Sequence, residues 1–471
     1  RLYHEDPQLF CRYCLEDARL VIEILDATGL LALTITRSSL TGVPLQRAWA
    51  SVAAFDAIYI QAMRQRGLVA PSFGSDALPL GEAPGGAILT PHPGVHDNVM
   101  VFDFKSLYPS LMMTFSIDPV ALLRSHREAR SPRGKVVEAP NGARFDAERA
   151  ILPRLLNRFF EERANAKSRG DTTAAYVYKI IMNSFYGVLG SPGCRFAGQE
   201  IAGAITGFGQ WLLRWMKDYM EAEGHEVIYG DTDSVFVRPA DPAGGAGGAA
   251  TLFAAAGDIA EKANRSIAGM VQDRFGVTSR LELEFETLYT RLLIPRMRGS
   301  ELGRAKGYAG LALHQAHDTP ELEIKGMEAV RRDWTDLAHA FQRDLLMRLF
   351  QDASGEELFD HTRRIAKELR EGVHDDALFY RKSIRKGADE YSGRGPAHVR
   401  AAEMLDPADR RGVIEYAITH DGPQPRGVIS SPIDYEHYVQ KQLHPIAAGI
   451  AEIRPYDVDA ALGPGGQLGL F

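Results

Sequence analysis

The chain has 471 residues, 45% of them hydrophobic and 24% charged, an ordinary globular composition with room for about two to four domains with cores of their own. No apolar run approaches the roughly 20 residues of a membrane-spanning helix, and the first residues lack the apolar stretch of a secretory signal. We therefore expect a cytoplasmic protein with no membrane partner. The formal net charge of −7 by itself also argues against a polyanionic partner.

That charge is segregated along the chain. Residues 149–179 carry seven Lys and Arg against three acids, residues 291–308 five against one, and residues 380–400 six against two. Phosphate binding depends on local patches rather than on net charge. Three basic stretches on an acidic background are typical of a nucleic-acid groove, whereas any one of them alone would be a solvated face that is balanced elsewhere.

The N-terminal segments alternate helical patterns with loops. The chain starts without Met and opens like the interior of a domain, so we expect an N-terminal truncation. Residues 8–33 have helical spacing with Gly29 as a stop signal, and a second helical pattern covers about 46–66. Residues 71–93 are rich in Pro and Gly, which predicts a loop with short extended pieces.

Three cysteines are present: Cys11, Cys14 and Cys194. Cys11 and Cys14 form a C-x-x-C pair one helical turn apart. A structural zinc site needs four ligands, and no second pair follows downstream. We therefore expect buried thiols here rather than a metal site.

The middle of the chain combines short strands with helices. The apolar, β-branched residues 98–104 predict a buried strand. Residues 151–187 predict two helices with a turn near Gly170, and residues 200–223 a further helix. Residues 226–237 then form two strand-like runs around two acids, which predicts a hairpin with the acids at its tip.

The C-terminal half continues with strands and then helices. The Gly/Ala-rich residues 239–250 predict a flexible connection, and strands are expected at 281–295, 307–314 and 321–327. Residues 335–452 have a mainly helical pattern with a loop-rich middle. Together the segments indicate an α+β fold.

Carboxylates gather at the ends of the predicted strands. Asp231 and Asp233 lie side by side in the hairpin turn, and Asp103 ends the strand before it in the chain. Such close like charges raise each other's pKa unless a cation is present, so the alternatives are a metal site and a solvated turn. If the strands are neighbours, Asp103 and Asp233 can share Mg²⁺, which favours in-line phosphoryl transfer.

Cations that could hold phosphates follow helical spacing. Arg163 and Lys167 are i, i+4 on the first helix of the pair, and one face of the second carries four residues at i, i+4, i+7 and i+8: Lys179, Asn183, Tyr186 and Gly187. If the two helices are antiparallel, they would present Arg163, Lys167 and Lys179 to one triphosphate. The alternative is a charged solvent face with i, i+4 pairs, for which residues 180–187 are too apolar.

Three segments, in this order, resemble the polymerase motifs of family B DNA polymerases. Residues 103–110 (DFKSLYPS) resemble motif A, residues 179–187 (KIIMNSFYG) motif B and residues 229–234 (YGDTDS) motif C. Residues 306–308 (KGY) resemble the K-x-Y element and residues 84–86 (PGG) a glycine element ahead of the palm. Within the family, three further segments are most similar to the bacterial DNA polymerase II group: residues 281–286 (LELEFE), 325–334 (KGMEAVRRDW) and 431–438 (SPIDYEHY).

The resemblance implies a right-hand polymerase architecture of palm, fingers and thumb. The implied divisions are a C-terminal remnant of an RNase H-like 3′–5′ exonuclease domain (1–35), a connecting segment (36–94), palm (95–150 and 188–330), fingers (151–187), thumb (331–455) and a flexible tail (456–471).

It also implies a role for each matching residue. Asp103, Asp231 and Asp233 would be catalytic, and Asp103, Asp233 and the Phe104 carbonyl would hold two Mg²⁺ ions, for which Mn²⁺ could substitute. The incoming dNTP would contact seven residues: Ser106, Leu107, Tyr108, Arg163, Lys167, Lys179 and Asn183. Tyr108 would lie beneath the sugar and exclude a 2′-hydroxyl, the alternative being a core Tyr packed on Pro109.

The DNA would meet further residues. The resemblance implies that Tyr186 and Gly187 border the nascent base pair and that Lys306 and Tyr308 grip the primer strand. Three residues of the last basic stretch are additional candidates for DNA contacts: Arg381, Lys382 and Lys386. Primer-template DNA and dNTPs are thus the expected partners of a monomeric, nucleoid-associated enzyme.

Both ends of the chain carry short motifs. Tyr13 and Asp17 form a Y-x-x-x-D that resembles the third exonuclease motif of the family, but the other exonuclease carboxylates are absent, so we expect no proofreading by this chain. The last five residues resemble the sliding-clamp-binding peptide of bacterial replication proteins, with four binding residues: Gln467, Leu468, Leu470 and Phe471. The alternative there is a frayed apolar terminus.

The expected activity is two-metal, template-directed DNA synthesis in DNA repair or damage-tolerant replication. One alternative is a catalytically silent DNA-binding module derived from a polymerase, against which the three clustered acids argue. A nuclease, which would depend on Asp17 alone, is a third hypothesis.

Overall fold

A computed structural model describes residues 2–72, 85–127, 135–240, 248–297, 300–384, 395–406, 409–410 and 412–463. Its strands are β1 (Ile88–Leu89), β2 (Gly94–Phe104), β3 (Val136–Glu138), β4 (Arg144–Asp146), β5 (Glu226–Asp231), β6 (Ser234–Arg238), β7 (Leu283–Ile294), β8 (Tyr308–Leu313), β9 (Glu321–Lys325), β10 (Tyr380–Ile384), β11 (Gly412–Thr419) and β12 (Gly422–Pro425).

The helices are α1 (Leu2–Glu5), α2 (Pro7–Thr28), α3 (Leu30–Thr41), α4 (Ser51–Arg64), α5 (Leu107–Thr114), α6 (Pro119–Arg127), α7 (Leu152–Ser168), α8 (Thr172–Leu189), α9 (Gln199–Ala222), α10 (Ala249–Phe275), α11 (Asp336–Phe350), α12 (Gly355–Arg370), α13 (Ala397–Glu403), α14 (Tyr435–Tyr438), α15 (His444–Ala451) and α16 (Val458–Leu462). A π-helical turn, Val439–Leu443, joins α14 to α15. Among these helices none is long and apolar enough to cross a bilayer.

A seven-stranded antiparallel sheet organises the centre, in the order β1-β5-β6-β2-β7-β8-β9. Its two faces differ because side chains alternate along each strand. Met100 and Phe102 of β2 enter the main core with helices α5, α8, α9 and α10. Val99 and Val101 face the opposite side, among aromatic side chains of β5, β6 and β7. By the same alternation Asp103 lies on that second face.

A separate core holds the C-terminal helices together. It contains buried residues of α11, α12 and α15, and Leu293 and Ile324 from the central sheet join it to the rest of the chain. A three-stranded sheet, β10-β11-β12, packs beside it.

The helix boundaries follow the local signals in the sequence. Gly29 adopts φ 61° at the end of α2, and Gly170 adopts φ 74° between α7 and α8. Both are left-handed conformations in which a side chain would be strained. Asp171 then starts α8, because its side chain accepts a hydrogen bond from the Ala174 backbone N–H at 2.9 Å. The predicted helix pair at 151–187 and the hairpin at 226–237 are confirmed.

The structure differs from the sequence analysis at two places. Cys11 and Cys14 are exposed rather than buried, because α2 carries no buried residue. The middle of 335–452, which was predicted to be loop-rich, contains a sheet that was not predicted, formed by β10, β11 and β12. The sequence pattern missed this sheet because β10 pairs with a strand about thirty positions away, and period-2 alternation is weak in β10, whose residues are only partly buried or exposed.

The Asp118 carboxylate joins three helices in the main core. It is fully buried and accepts hydrogen bonds from the Tyr59 hydroxyl of α4 at 2.7 Å and from the Ala121 backbone N–H of α6 at 2.8 Å. It also accepts from the backbone N–H groups of Ile151 and Leu152 at the start of α7. A negative charge at two helix N-termini is favourable, so Asp118 fixes the start of α7 relative to α4 and α6.

We expect Asp118→Ala to lower the free energy of unfolding by at least about 3 kcal/mol, because four buried donors lose their acceptor. Urea unfolding followed by circular dichroism would measure it. Asp258→Ala is the matched control, since Asp258 is exposed on α10 and pairs with no other described residue. Equal midpoints for the two variants would contradict this role for Asp118.

Candidate active site

The carboxylates Asp103 and Asp233 lie on neighbouring strands. In the antiparallel pairing of β2 with β6, Asp103 is opposite Ser234, and the Phe104 backbone N–H donates to the Asp233 carbonyl oxygen at 2.9 Å. The two acids, 130 positions apart in sequence, therefore meet at one end of the sheet. The hypothesis that their strands are neighbours is confirmed.

The turn that carries Asp233 is held tightly. Thr232 adopts φ 58°, and its backbone N–H donates to the Ala87 carbonyl oxygen at 2.9 Å. A Cβ atom at Gly86 would clash with the Thr232 hydroxyl, so glycine is required for this close approach. This accounts for the glycine element, of which Pro84 lies outside the described residues.

The pKa values of both carboxyl groups are raised. Burial, followed by the charges of Asp233, Glu286 and Glu284, raises the pKa of Asp103 to about 7. Burial, followed in part by the charge of Asp231, raises the pKa of Asp233. Carboxylates that are both desolvated and close together disfavour ionisation unless a cation joins them.

Asp231 is in a different situation, because the protein itself supplies its counter-charge. The Lys306 ammonium lies 2.9 Å from one Asp231 carboxylate oxygen. The Tyr229 hydroxyl donates to Asp231 at 3.3 Å and accepts a hydrogen bond from the Lys306 backbone N–H at 2.9 Å. Tyr308 packs against Tyr229. Both tyrosines line a cavity of about 320 Å³, which Asp231 and Lys306 also line. Asp231 thus has a counter-charge within the protein, whereas Asp103 and Asp233 form no ion pair with a described Lys, Arg or His side chain.

The donor set fits a hard divalent cation. Asp103 and Asp233 offer carboxylate oxygens, and among the described residues no group of three or more His, Cys, Asp or Glu side chains could hold a metal by itself. Mg²⁺ characteristically takes one or two carboxylates and completes its shell with water and substrate phosphates. The pair therefore suits a cation that arrives with a phosphorylated substrate.

The raised pKa of Asp103 predicts a pH dependence of cation binding. Below pH about 7 the group is a neutral acid, so we expect the affinity for Mn²⁺ to fall about tenfold per pH unit below this point and to level off above it. In the metal-free protein, stability should fall as pH rises from about 4 to about 7, because the folded state keeps a proton that the unfolded state releases.

Mn²⁺ binding followed by electron paramagnetic resonance between about pH 5.5 and about pH 8.5 would check this prediction. Asp233→Asn removes a neighbouring negative charge, so it should move the transition to lower pH even as it weakens binding. An affinity that is constant over this range would contradict the raised pKa.

The residues after Asp103 form the start of α5. Ser106 adopts φ 47° in the left-handed region, and Leu107 begins the helix. The Tyr108 ring lies 4.3 Å, centroid to centroid, from the Tyr186 ring of α8. The structure thus brings together two residues that were predicted to contact the sugar and the nascent base pair.

The predicted phosphate-binding cations are distributed over two places. Arg163 and Lys167 of α7 line one pocket. Lys179 does not line it, but its charge opposes the rise in the pKa of Asp103. Asn183 and Gly187 are exposed on the same helix as Lys179, whereas Ile181, Met182 and Phe185 of that helix are buried.

The chain is similar to known DNA polymerases over most of its length. The family model for DNA polymerase family B matches residues 53–451. The chain belongs to DNA polymerase family B. It is 38% identical to DNA polymerase II of Escherichia coli over 100% of this chain and 59% of that protein, and 27% identical to DNA polymerase 2 of Aeropyrum pernix over 96% and 54%.

A solved structure agrees with the fold. The family B DNA polymerase of Pyrobaculum calidifontis superposes with a TM-score of 0.62 at 27% identity, over 95% of this chain and 57% of that one. The α+β right-hand architecture is therefore confirmed. The chain spans about three fifths of the Escherichia coli relative and less of the others named here.

Sequence reasoning about this family B chain missed an acidic row beside the site. Glu282, Glu284 and Glu286 alternate along and just before β7, which places them on one face, and Glu284 is directly opposite Asp103. Lys105 contacts two of them, Glu284 at 2.8 Å and Glu282 at 3.1 Å. The alternation of apolar residues with Glu in residues 281–286 (LELEFE) could have predicted this acidic row. That segment was used only as evidence of resemblance to the family.

The remaining predicted residues lie elsewhere in the structure. Arg381 is engaged by Glu415 at 2.8 Å and by Asp336 at 3.1 Å, and Lys382 is exposed on the same strand. Tyr13 and Asp17 are exposed on α2. Five predicted residues fall outside the described part of the chain: Lys386, Gln467, Leu468, Leu470 and Phe471.

Proposed function

We propose that this chain catalyses Mg²⁺-dependent, template-directed DNA synthesis from dNTPs. The observation that carries the proposal is the Asp103–Asp233 pair, with both pKa values raised, at the end of neighbouring strands. A cation-demanding pair beside helices that carry Lys and Arg suits the transfer of a nucleotide from a triphosphate. Membership of family B supports the same activity.

The chain's own residues act mainly by positioning and charge. Asp103 and Asp233 would hold two Mg²⁺ ions, with Mn²⁺ able to substitute and the Phe104 carbonyl as a further ligand. When bound, these ions would neutralise the charge that develops on the phosphate oxygens. The bond between the primer O3′ and the α-phosphorus forms as the bond to the leaving pyrophosphate breaks.

The incoming nucleotide would lie between α5 and the α7–α8 pair. Lys179 would neutralise its phosphates from the side of Asp103, and Asn183 would add a hydrogen bond. Ser106 and Leu107 would border the triphosphate, while Arg163 and Lys167 would attract it from their shared pocket. Tyr186 and Gly187 would border the nascent base pair, whose template base selects the nucleotide.

The primer-template duplex would meet the opposite side of the site. Lys306 and Tyr308 would contact the primer strand, and in the DNA-free protein Lys306 is paired with Asp231. Arg381 would have to exchange Glu415 or Asp336 for a phosphate, whereas Lys382 forms no such ion pair with a described residue. Lys386 would add further charge. In these terms palm is 95–150 with 188–330, fingers 151–187 and thumb 331–455.

Further parts of the proposal depend on resemblance alone. We propose that the chain acts as a monomer in DNA repair or damage-tolerant replication, and that residues 467–471 bind a bacterial sliding clamp. We further propose that residues 1–35 are an exonuclease remnant, and that Tyr13 and Asp17 do not give proofreading by this chain.

Primer extension on a primed template, with dNTPs and Mg²⁺, tests the proposal. We expect template-dependent extension by the chain and none without a divalent cation. A silent DNA-binding module would bind the duplex without extending the primer under any metal. A nuclease that used Asp17 would instead shorten primer ends with Mg²⁺ and no nucleotides.

A further inference from the structure

Four polar side chains form a hydrogen-bond network on the second face of the central sheet: Tyr308, Tyr289, Glu323 and His314. The Tyr308 hydroxyl is hydrogen-bonded to the Tyr289 hydroxyl, which donates to one Glu323 carboxylate oxygen at 2.8 Å. The His314 Nε2 atom lies 3.0 Å from the other Glu323 oxygen, and its Nδ1 atom lies 3.3 Å from the Thr287 hydroxyl. We call these four residues the Tyr308 network. They come from β7, β8, β9 and the residue directly after β8, so only the folded sheet brings them together.

Gly310 allows Tyr289 to reach Glu323. In the pairing of β8 with β9, Gly310 is directly opposite Glu323. A Cβ atom at Gly310 would lie 2.5 Å from a ring carbon of Tyr289, so the Tyr289 ring passes directly over the glycine backbone. Tyr289 is buried, and its hydroxyl therefore depends on protein partners rather than on water.

The Glu323 carboxylate determines which way the two tyrosine hydroxyls point. Burial raises the pKa of both hydroxyls, that of Tyr308 to about 12, so each keeps its single proton at neutral pH. An ionised carboxylate only accepts hydrogen bonds. Because the Tyr289 proton is donated to Glu323, the Tyr289 oxygen accepts the proton of Tyr308. The Tyr308 hydroxyl then has no proton left for a phosphate oxygen of DNA.

The other side of Tyr308 faces the proposed active site. Its ring packs against the Phe236 ring, with 5.2 Å between the centroids, and Tyr308 lines a cavity that Asp233 and Lys306 also line. Lys306 brings a positive charge to this cavity, as a phosphate contact requires. Tyr308 brings an aromatic wall whose position depends on the hydrogen bond to Tyr289.

We propose that Tyr289, oriented by Glu323, is a positioning residue that holds Tyr308 against the primer strand, and that the Tyr308 hydroxyl is an anchor within the protein rather than a donor to DNA. The inference deepens the proposed function and rests on it for the contact between Tyr308 and the primer. In this arrangement Lys306 contacts the phosphate, while the Tyr308 ring contacts the sugar beside it.

Fluorescence anisotropy with a labelled primer-template duplex tests the Tyr308 network without any need for catalysis. We expect Tyr289→Phe and Tyr308→Phe each to raise the dissociation constant by a similar factor, roughly three- to tenfold, since each removes the same hydrogen bond. For that reason the double variant should bind no more weakly than either single variant. In primer extension the same variants should raise KM for the primer-template and leave kcat within about twofold.

Substitutions of Glu323 test how Tyr289 is oriented. Glu323→Ala should weaken duplex binding by itself but not further in the Tyr289→Phe background, because Glu323 acts through that hydroxyl. Glu323→Gln keeps an acceptor oxygen for Tyr289 and should restore part of the affinity. Glu321→Ala is the matched control, because Glu321 is an exposed acid two positions earlier on the same strand and face. It should bind the duplex like the unsubstituted chain.

Three results would overturn the positioning role. Duplex binding by Tyr289→Phe that equals that of the unsubstituted chain, with Tyr308→Phe weakened, would make the Tyr308 hydroxyl a donor to DNA. Equal binding by all three chains would remove the anchor altogether, and additive losses in the double variant would indicate a general structural effect. A chain whose duplex binding depends on Tyr289 but which extends no primer would refute the proposed function alone. A chain that extends primers, with binding indifferent to Tyr289, would refute the positioning role alone.

Discussion

Asp233→Ala should abolish primer extension, with a loss of rate of roughly a thousandfold or more, because a catalytic cation contributes several kcal/mol to such a transition state. In this variant Asp103 would be the only remaining carboxylate of the proposed cation-binding pair, because the Asp233 carboxylate that would share the cation is removed. The fold should survive, since removing Asp233 also relieves the like-charge repulsion that raises the pKa of Asp103. Primer extension and a gel-shift assay on the same primed template would measure both properties.

The controls separate catalysis from folding and DNA binding. Asp218→Ala removes an exposed acid of α9 and should extend primers like the unsubstituted chain. Asp233→Asn keeps the size of the side chain but not its charge, so it should fail as Asp233→Ala does while still shifting the duplex. Primer extension retained by Asp233→Ala would refute the two-metal assignment.

Tyr108→Ala should have the second-largest effect, on the choice of sugar. We expect discrimination between dNTP and rNTP to fall by roughly a hundredfold or more, since the ring that would clash with a 2′-hydroxyl is removed. The ring is at the start of α5 and packs against the Tyr186 ring, with 4.3 Å between the ring centroids. The ratio of kcat/KM for the two nucleotide types, measured by single-nucleotide incorporation, reports this effect.

Tyr108→Phe distinguishes the ring from its hydroxyl. Burial raises the pKa of the Tyr108 hydroxyl to about 12, so the group stays neutral and contributes no charge. Tyr108→Phe should therefore keep the discrimination of the unsubstituted chain. If Tyr108 were only a core residue packed on Pro109, Tyr108→Ala would lower stability and both incorporation rates without changing their ratio.

Local features were predictable because short-range chemistry determines them. Gly29 and Gly170 mark helix ends, since each occupies a left-handed conformation that other residues avoid. The 226–237 hairpin follows from strand-forming residues on either side of a turn-forming Gly-Asp-Thr-Asp. The α+β class was predictable for the same reason.

Features that depend on distant partners were not predictable in this way. In the sheet of β10, β11 and β12, the strand β10 pairs with β11, which lies about thirty positions further along the chain. Cys11 and Cys14 are exposed because the helix that carries them buries none of its residues. Helical periodicity describes one helix and says nothing about what packs against it.

The sequence by itself determined which residue types stand at the site: Asp103, Asp231 and Asp233 at strand ends, and Lys and Arg on the helix pair. Only the tertiary structure decided which of the three acids has a basic partner within the protein. Asp231 is paired with Lys306, 75 positions away, which leaves Asp103 and Asp233 without an ion-pair partner in the described part of the chain. Each such pairing depends on strand order and on packing between segments that are distant in the chain. A sequence motif describes only residues that are close together in the chain.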